Sequence, residues 1–354
     1  MNHAAVGVLP IATRDAVHAF VDAHAARGVL GTYKVELDLP KYRGTIGALI
    51  GAAPDEIALL RNTGDGATVL ARGLRLKPGD EVITGRNEFG ANAYPWLALR
   101  EEGVAVRFID APRERMTPGV LARELTPRTK AVAVSWVSFD DGYRHDLAAL
   151  AEVAHRNGSL LFVDAIQGLG VFPLDVRAAN VDAVYAGGAK WLMSVPGVSF
   201  LYVAAALQER VAPVLPGWRS VADIWDFLDY DQPWAPNATR YEGGTPNMLG
   251  ALSMATSIAI LQSAGIDAIA AHVLRITDRL ADGLQRKGYT LKSVRSATES
   301  SGIVTFTKEN GDILALGKHL AAQKIVTTNR ATGIRISPHG HNTDEEMDHI
   351  LALL

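Results

Sequence analysis

LLFVDAIQGLGVFPLDVRAANVDAVYAGGAKWLMSVPGVSFLYV, residues 160–203, carries three short apolar runs, with a carboxylate ending the first and a lysine just after the second. Leu160, Leu161, Phe162 and Val163 form an unbroken run, which suits a strand buried on both faces. Asp164 follows at its C-terminal end. A second strand over 182–186 runs into Gly187-Gly188-Ala189-Lys190-Trp191, and a third covers 198–203. A lysine between a diglycine and a tryptophan is partly enclosed. Desolvation disfavours its ammonium form and makes the amine a nucleophile near neutral pH. A buried carboxylate needs a cationic partner. A pyridoxal phosphate site uses both: the lysine forms a Schiff base with the aldehyde, and the aspartate keeps the pyridine nitrogen protonated. An aspartate ending a strand and a surface lysine are the plainer alternative, and this pair alone leaves both open.

With 354 residues, the prior is one large domain and a smaller one. The chain is 48% hydrophobic and 21% charged, enough for a sizeable core and unlike a disordered chain. A net charge of −3 without a long basic run argues against nucleic acid and anionic membrane partners. There is no cysteine, which agrees with a cytoplasmic protein and removes any mechanism needing a thiol of this chain. No leader pattern, membrane-length apolar run, internal repeat or low-complexity tract is visible.

Outward from the central stretch, strands and helices alternate. Helices are expected over 14–27, 42–50, 117–125, with Thr117 as N-cap and Pro118 first, and 146–157. Strands are expected over 57–62, 81–84, 104–109 and 130–136. Such alternation implies a mostly parallel sheet with helices on both faces. Thr63-Gly64-Asp65-Gly66 opens a helix directly after a strand, a turn whose free N–H groups and dipole suit a phosphate. It is equally an ordinary capped turn. Residues 213–236 are irregular and hold Trp218, Trp225 and Trp234. Apolar and amphipathic helices follow over 248–263 and 267–287, then short strands and two helices of a small α+β unit.

VDAIQGLG, GGAKWL and PGVSFLYV resemble the core of class V, fold-type I pyridoxal phosphate enzymes. That group includes cysteine desulfurases, selenocysteine lyases, kynureninases and isopenicillin N epimerase-like proteins. The similarity continues in NHAAVGVLP (2–10), NEFGANAYPW (87–96), RYEGGTPN (240–247) and GIRISPHGHNTDEEMDHI (333–350), in the family's order. The resemblance implies an α/β fold, a large domain with a mostly parallel mixed sheet plus a small α+β C-terminal domain. The expected boundaries are an N-terminal segment over the active site (1–20), a large cofactor-binding domain (21–246), and an interdomain helix with the small domain (247–354).

By the same resemblance, Lys190 holds pyridoxal 5'-phosphate, Asp164 meets the ring nitrogen and Gln167 its phenolic oxygen. Thr63, Gly64 and Asp65 take the phosphate, and Phe89 stacks on the ring. Cysteine desulfurases characteristically carry histidine at that place; phenylalanine stacks but cannot move a proton. Thr245 reaches the phosphate of a neighbouring subunit, implying a homodimer with shared sites. Arg335 grips the carboxylate of an amino or keto acid, and Asn2, His3 and Ala4 line the substrate pocket. Gly187 and Ala189 stand where relatives have a hydroxyl residue and a histidine, so two expected contacts are missing. VSFDDGYR (137–144) offers no amide for the cofactor. Arg240 and Glu242 could equally form a plain structural ion pair, and His339 and His341 read as a loop, since nothing completes a metal set.

The implied function is a pyridoxal phosphate enzyme acting on an amino acid, of epimerase, lyase or transaminase type. The alternatives are a cysteine or selenocysteine lyase without a protein thiol, and a non-catalytic protein of this fold that binds or regulates. A nucleotide-binding protein is disfavoured, because Gly168-Leu169-Gly170 is too short for a dinucleotide fingerprint.

Overall fold

The computed structural model describes residues 1–110, 115–309, 311–330 and 333–354. Seven strands form the large sheet: β1 (Ile57–Leu60), β2 (Glu81–Gly85), β3 (Ala105–Ile109), β4 (Thr129–Ser135), β5 (Leu160–Asp164), β6 (Ala183–Gly187) and β7 (Ser199–Val203). Their order is β1-β7-β6-β5-β4-β2-β3. The run from β6 to β3 is parallel, while β7 is antiparallel to both β6 and β1. Every residue of β5, β6 and β7 is buried, as their continuous apolar runs require of strands covered on both faces.

The helices are α1 (Ile11–Arg27), α2 (Val29–Leu37), α3 (Leu39–Ile50), α4 (Thr63–Gly73), α5 (Gly90–Leu97), α6 (Pro118–Glu124), α7 (Leu147–Arg156) and the short α8 (Ala205–Gln208). One face of the sheet is covered by the apolar sides of α3 and α7, the other by those of α4 and α5. Thr117 caps α6 as expected, accepting from the Val120 N–H. Asp146 caps α7 from outside, accepting from Ala149, rather than opening it. α2 was not expected. Gly28, at φ 54, breaks the chain after α1 in a backbone conformation that L side chains rarely adopt. α2 then leaves Val29, Leu30, Tyr33 and Leu37 exposed, so it lacks the buried stripe by which a sequence reveals a helix.

α9 (Met248–Ala264) packs on α1, α2 and α3, bends by 79° and continues as α10 (Ile266–Arg286). α10, α11 (Ile313–Ala322) and α12 (Asp344–Leu353) surround an antiparallel sheet of β8 (Thr290–Leu291), β9 (Val304–Thr307), β10 (Thr328–Arg330) and β11 (Gly333–Ile336), in the order β10-β11-β9-β8. The chain's first residues reach the end of this small sheet. Asn2 bridges to Ser337 in parallel, and the His3 N–H donates to the Ser337 carbonyl at 3.1 Å. No single helix among the described residues is long and apolar enough to cross a membrane.

The ion pair expected between Arg240 and Glu242 is not formed. Arg240 pairs with Glu209 and donates to two backbone carbonyls. Glu242 instead takes two nitrogens of Arg43 and, at 2.8 Å, the N–H of Leu59 on β1. Both partners are buried, at 8% and 2% side-chain exposure. This contact ties α3, β1 and the segment before Gly243-Gly244-Thr245 together. Removing one partner strands the other charge without water. Glu242→Ala is expected to lower the unfolding free energy by about 3–5 kcal/mol, and Arg43→Met combined with Glu242→Leu to recover most of it. Urea denaturation of the three proteins measures both.

Candidate active site

Open α/β sheets bind ligands beyond the carboxyl ends of their parallel strands, and β5 ends there with Asp164. Asp164 is 2% exposed, and its Oδ1 accepts from the Ile166 N–H at 3.0 Å. Burial pushes its carboxyl up to about 7, against the pull of that N–H and of Lys190. Lys190 follows β6 in the neighbouring loop. Burial lowers its amine to about 8; Asp164 opposes the shift, and Arg335 and Arg330 add to it. A neutral amine is therefore substantially populated in mildly alkaline solution. Its Nζ lies 5.3 Å from the ring centroid of Phe89. Phe89 is 47% exposed at the start of α5 and meets Phe139 edge-on at 5.3 Å.

Thr63 begins α4 immediately beyond β1. The first N–H groups of a helix have no partner inside it, so Thr63 and Gly64 present donors to this end of the site. Asp65 does not suit the phosphate role expected of it. Its carboxylate pairs with Arg61 at 2.7 Å, its N–H is taken by the Asn62 side chain, and an acidic group repels an anion. Gly187, where a hydroxyl was expected, has a physical reason. A Cβ there would sit 3.1 Å from the Ile166 side chain and 3.2 Å from the Thr63 hydroxyl. Thr63 thus occupies the space beside Gly187. Thr245 lines a cavity of about 400 Å3 together with Arg61, Asp65, Gly243 and Gly244 of its own chain.

Arg335 lies on β11, directly opposite Thr328 of β10. It is 4% exposed, and its Nη1 donates to the Phe139 carbonyl at 2.5 Å and its Nη2 to the Thr328 hydroxyl at 3.1 Å. Its Nε is buried without a partner among the described residues. Burial, reinforced by Arg330, lowers the guanidinium to about 10. Arg330 is different: it pairs with Asp140 at 3.1 Å and lies over the Phe139 ring.

The N-terminal segment runs between these parts. The Asn2 Oδ1 accepts from the Thr328 hydroxyl, and the buried Ala4 carbonyl accepts from the Gln167 amide at 3.0 Å. Gln167 also accepts from the Trp191 indole N–H at 2.8 Å. Gln167 thus braces the N-terminal segment against the lysine loop, and only the second N–H of its amide remains for a ring oxygen. His3 packs against Trp191, His339 and His341 and is held neutral, down at about 3, chiefly by burial. His339 bonds the Trp191 carbonyl, and no group of side chains among the described residues could hold a metal ion.

The profile of the Aminotransferase class-V family matches residues 12–349. This chain belongs to that family. It is 30% identical over 315 residues to the uncharacterized aminotransferase YcbU of Bacillus subtilis, covering 87% of this chain and 81% of that one. It is 29% identical over 367 residues to a probable cysteine desulfurase of Methanothermobacter thermautotrophicus, covering 96% and 89%. The fold of the cystine C-S lyase C-DES, solved with its product cysteine persulfide, superposes with a TM-score of 0.90 at 23% identity, over 99% of this chain and 95% of that one. Both the mixed sheet and the small antiparallel sheet thus belong to a known class V architecture.

Pyridoxal 5'-phosphate is the cofactor of class V enzymes, and the donor set fits it. A buried carboxyl with one backbone donor suits a ring nitrogen, a partly neutral lysine suits an aldehyde, and a helix N-terminus suits a phosphate. Glu88 escaped the sequence reading. Its carboxyl is raised by burial and accepts from the Ser135 N–H and the Asn92 amide, both at 2.8 Å, which anchors the Phe89 turn to β4. Its one signal was a charged residue beside Phe89. Thr328, Phe139 and Arg330 carried none.

The shift at Asp164 has a sign that can be tested in the cofactor-free protein. Between its ordinary 3.8 and about 7, the native state holds a proton that the unfolded chain has lost. Stability is therefore full below that window and falls as pH rises through it, by about 1.4 kcal/mol per unit. Asp164→Asn does not titrate, so its unfolding free energy is expected to gain on wild type from pH 4.5 to 7. Parallel curves in urea titrations at several pH values would remove the buried-carboxyl assignment. Lys190 gives the opposite slope between about 8 and its ordinary 10.5, where the unfolded chain keeps the proton longer.

Proposed function

We propose that this chain is a pyridoxal phosphate-dependent enzyme acting on an α-amino acid, with Lys190 as the base at the α-carbon. The observation that carries the reading is Arg335. It is a buried guanidinium without a carboxylate partner among the described residues, with a free Nε, electrostatically coupled to a lysine whose amine is partly neutral. Asp140 acts on this cation without bonding to it; a buried cation with no bonded carboxylate suits an anionic ligand, and a guanidinium takes a carboxylate through two parallel bonds.

In this reading Asp164 meets the ring nitrogen, Thr63 and Gly64 hold the phosphate, and Phe89 covers the ring face. The bound cofactor supplies an electron sink for the charge that develops at the α-carbon. Arg335 fixes the α-carboxylate and so orients the bond to be broken. Lys190 Nζ takes the α-proton. Phe89 excludes water and cannot carry a proton, so proton transfer rests on Lys190.

We assign the reaction to elimination at the β-carbon of a cysteine-like amino acid. The relatives named cysteine desulfurase and the C-S lyase likeness support this reading. Because the chain has no cysteine, the departing sulfur or selenium group leaves as a small molecule. Phe89 favours transamination as a second reading, since a single base on one face can move a proton without a second acid. Two-base epimerisation has less support for the same reason. We further propose a cytoplasmic homodimer in which Thr245 serves the neighbouring site. The exposed apolar residues of α2 offer it a contact surface.

The protein, loaded with pyridoxal phosphate and freed of the excess, is expected to keep the absorption band of a lysine-bound pyridoxal. Borohydride reduction followed by peptide mapping is expected to place the cofactor on Lys190, and Lys190→Ala to lose it. An amino-acid panel then separates the reactions: pyruvate, ammonia and sulfide for elimination, a keto acid with loss of the band for transamination. No band under any condition removes the enzymatic reading.

A further inference from the structure

We propose that the N-terminal segment is a working part of the substrate site: Asn2 and Thr328 form a hydrogen-bonded brace that aims Arg335. This inference rests on Arg335 as the carboxylate anchor. The brace follows from strand register. In the antiparallel pair β10–β11, Thr328 stands directly opposite Arg335, so both side chains project from the same face. The Thr328 Oγ1 then lies 3.1 Å from Nη2 of the guanidinium and 2.9 Å from Asn2 Oδ1.

The direction of the first bond is forced. A guanidinium only donates, so the Thr328 oxygen must accept from Arg335. Its single proton points to Asn2, whose amide is oriented with Oδ1 facing it. The order of donation is Arg335 to Thr328 to Asn2. With Nη1 held by the Phe139 carbonyl, two sides of the guanidinium are fixed and the buried Nε–H is left unpaired. Neither Asn2 nor Thr328 needs to touch substrate. They are positioning residues.

Asn2 is itself held at several points. It bridges to Ser337, and its carbonyl accepts from the N–H groups of Ala5 and Val6 at 2.9 and 3.1 Å. A few residues on, the Gly7 N–H donates to the Ala189 carbonyl at 2.8 Å, beside the catalytic lysine. The fit there is tight: a Cβ on Gly7 would lie 2.1 Å from the Lys190 carbonyl oxygen. One short segment thus contacts both the brace of the arginine and the loop of the lysine. It sets the distance between the group that grips the carboxylate and the group that takes the α-proton.

The test uses holoenzyme and two probes lacking an α-proton, 2-methylalanine and its carboxamide, with affinities from titration calorimetry. Loss of the hydrogen bond to the guanidinium should weaken binding of the acid by about tenfold in Thr328→Val, and loss of the neutral bond behind it by about threefold in Asn2→Ala. Binding of the amide and the cofactor content should stay as in wild type. Thr328→Ser, which restores the hydroxyl, should bind the acid as wild type does. The same pair should raise KM more than it lowers kcat. Arg335→Ala separates the two ideas. If it still prefers acid over amide, the anchor reading fails. If it loses that preference while Thr328→Val and Asn2→Ala keep it, the brace alone is overturned.

Discussion

Asp164 stands where three parallel strands end, sealed by apolar neighbours, and water cannot reach its carboxyl to solvate a charge there. Among the described residues, a backbone N–H and a neighbouring lysine favour its charge, and Glu88 opposes it. The sheet makes that placement unavoidable: β5 is buried along its whole length, so its terminal residue opens into the crevice rather than into solvent. The enclosure that raises the aspartate also lowers Lys190, and the two shifts pull against each other. A cationic nitrogen on the carboxyl and a carbonyl on the amine would relieve both.

Arg335 supplies the matching need at the other side of the site. It comes from the small antiparallel sheet, and none of its hydrogen-bond partners among the described residues is charged. The small sheet is fastened to the large one by the first few residues of the chain, through Ser337 at one end and Ala189 at the other. Relative placement of lysine and arginine is thus a matter of a few backbone hydrogen bonds, not of the large hydrophobic core alone.

Departures from the family pattern become intelligible once neighbours are known. Gly187 lacks a hydroxyl, and Ile166 with Thr63 fills that place. Ala189 lacks a ring, and its carbonyl holds Gly7. Phe89 sets a ring that cannot move a proton beside the lysine. In the function proposed above, these changes leave the cofactor's electron sink untouched and reduce the number of groups able to move protons.

Local patterning carried much of the fold. The apolar runs of β5, β6 and β7, the Thr117 cap and the lengths of α9 and α10 were legible because burial on both faces, capping and amphipathic spacing leave marks in consecutive residues. Asp164, Lys190 and Arg335 were singled out by family resemblance rather than by patterning, which left a plainer reading of the first two open; they lie at the end of β5, in the loop after β6 and on β11. The true partners of Glu242 and Gln167 were not, since each bonds residues far away in the chain. Nor were the diverted carboxylate of Asp65, the half-buried Glu88, or the link from Asn2 through Thr328 to Arg335. By itself the sequence determined which side chains were available and which segments were strand or helix. The tertiary structure decided which of them meet, because hydrogen-bond direction and ion pairing depend on distances that only packing of the two sheets and the N-terminal segment sets.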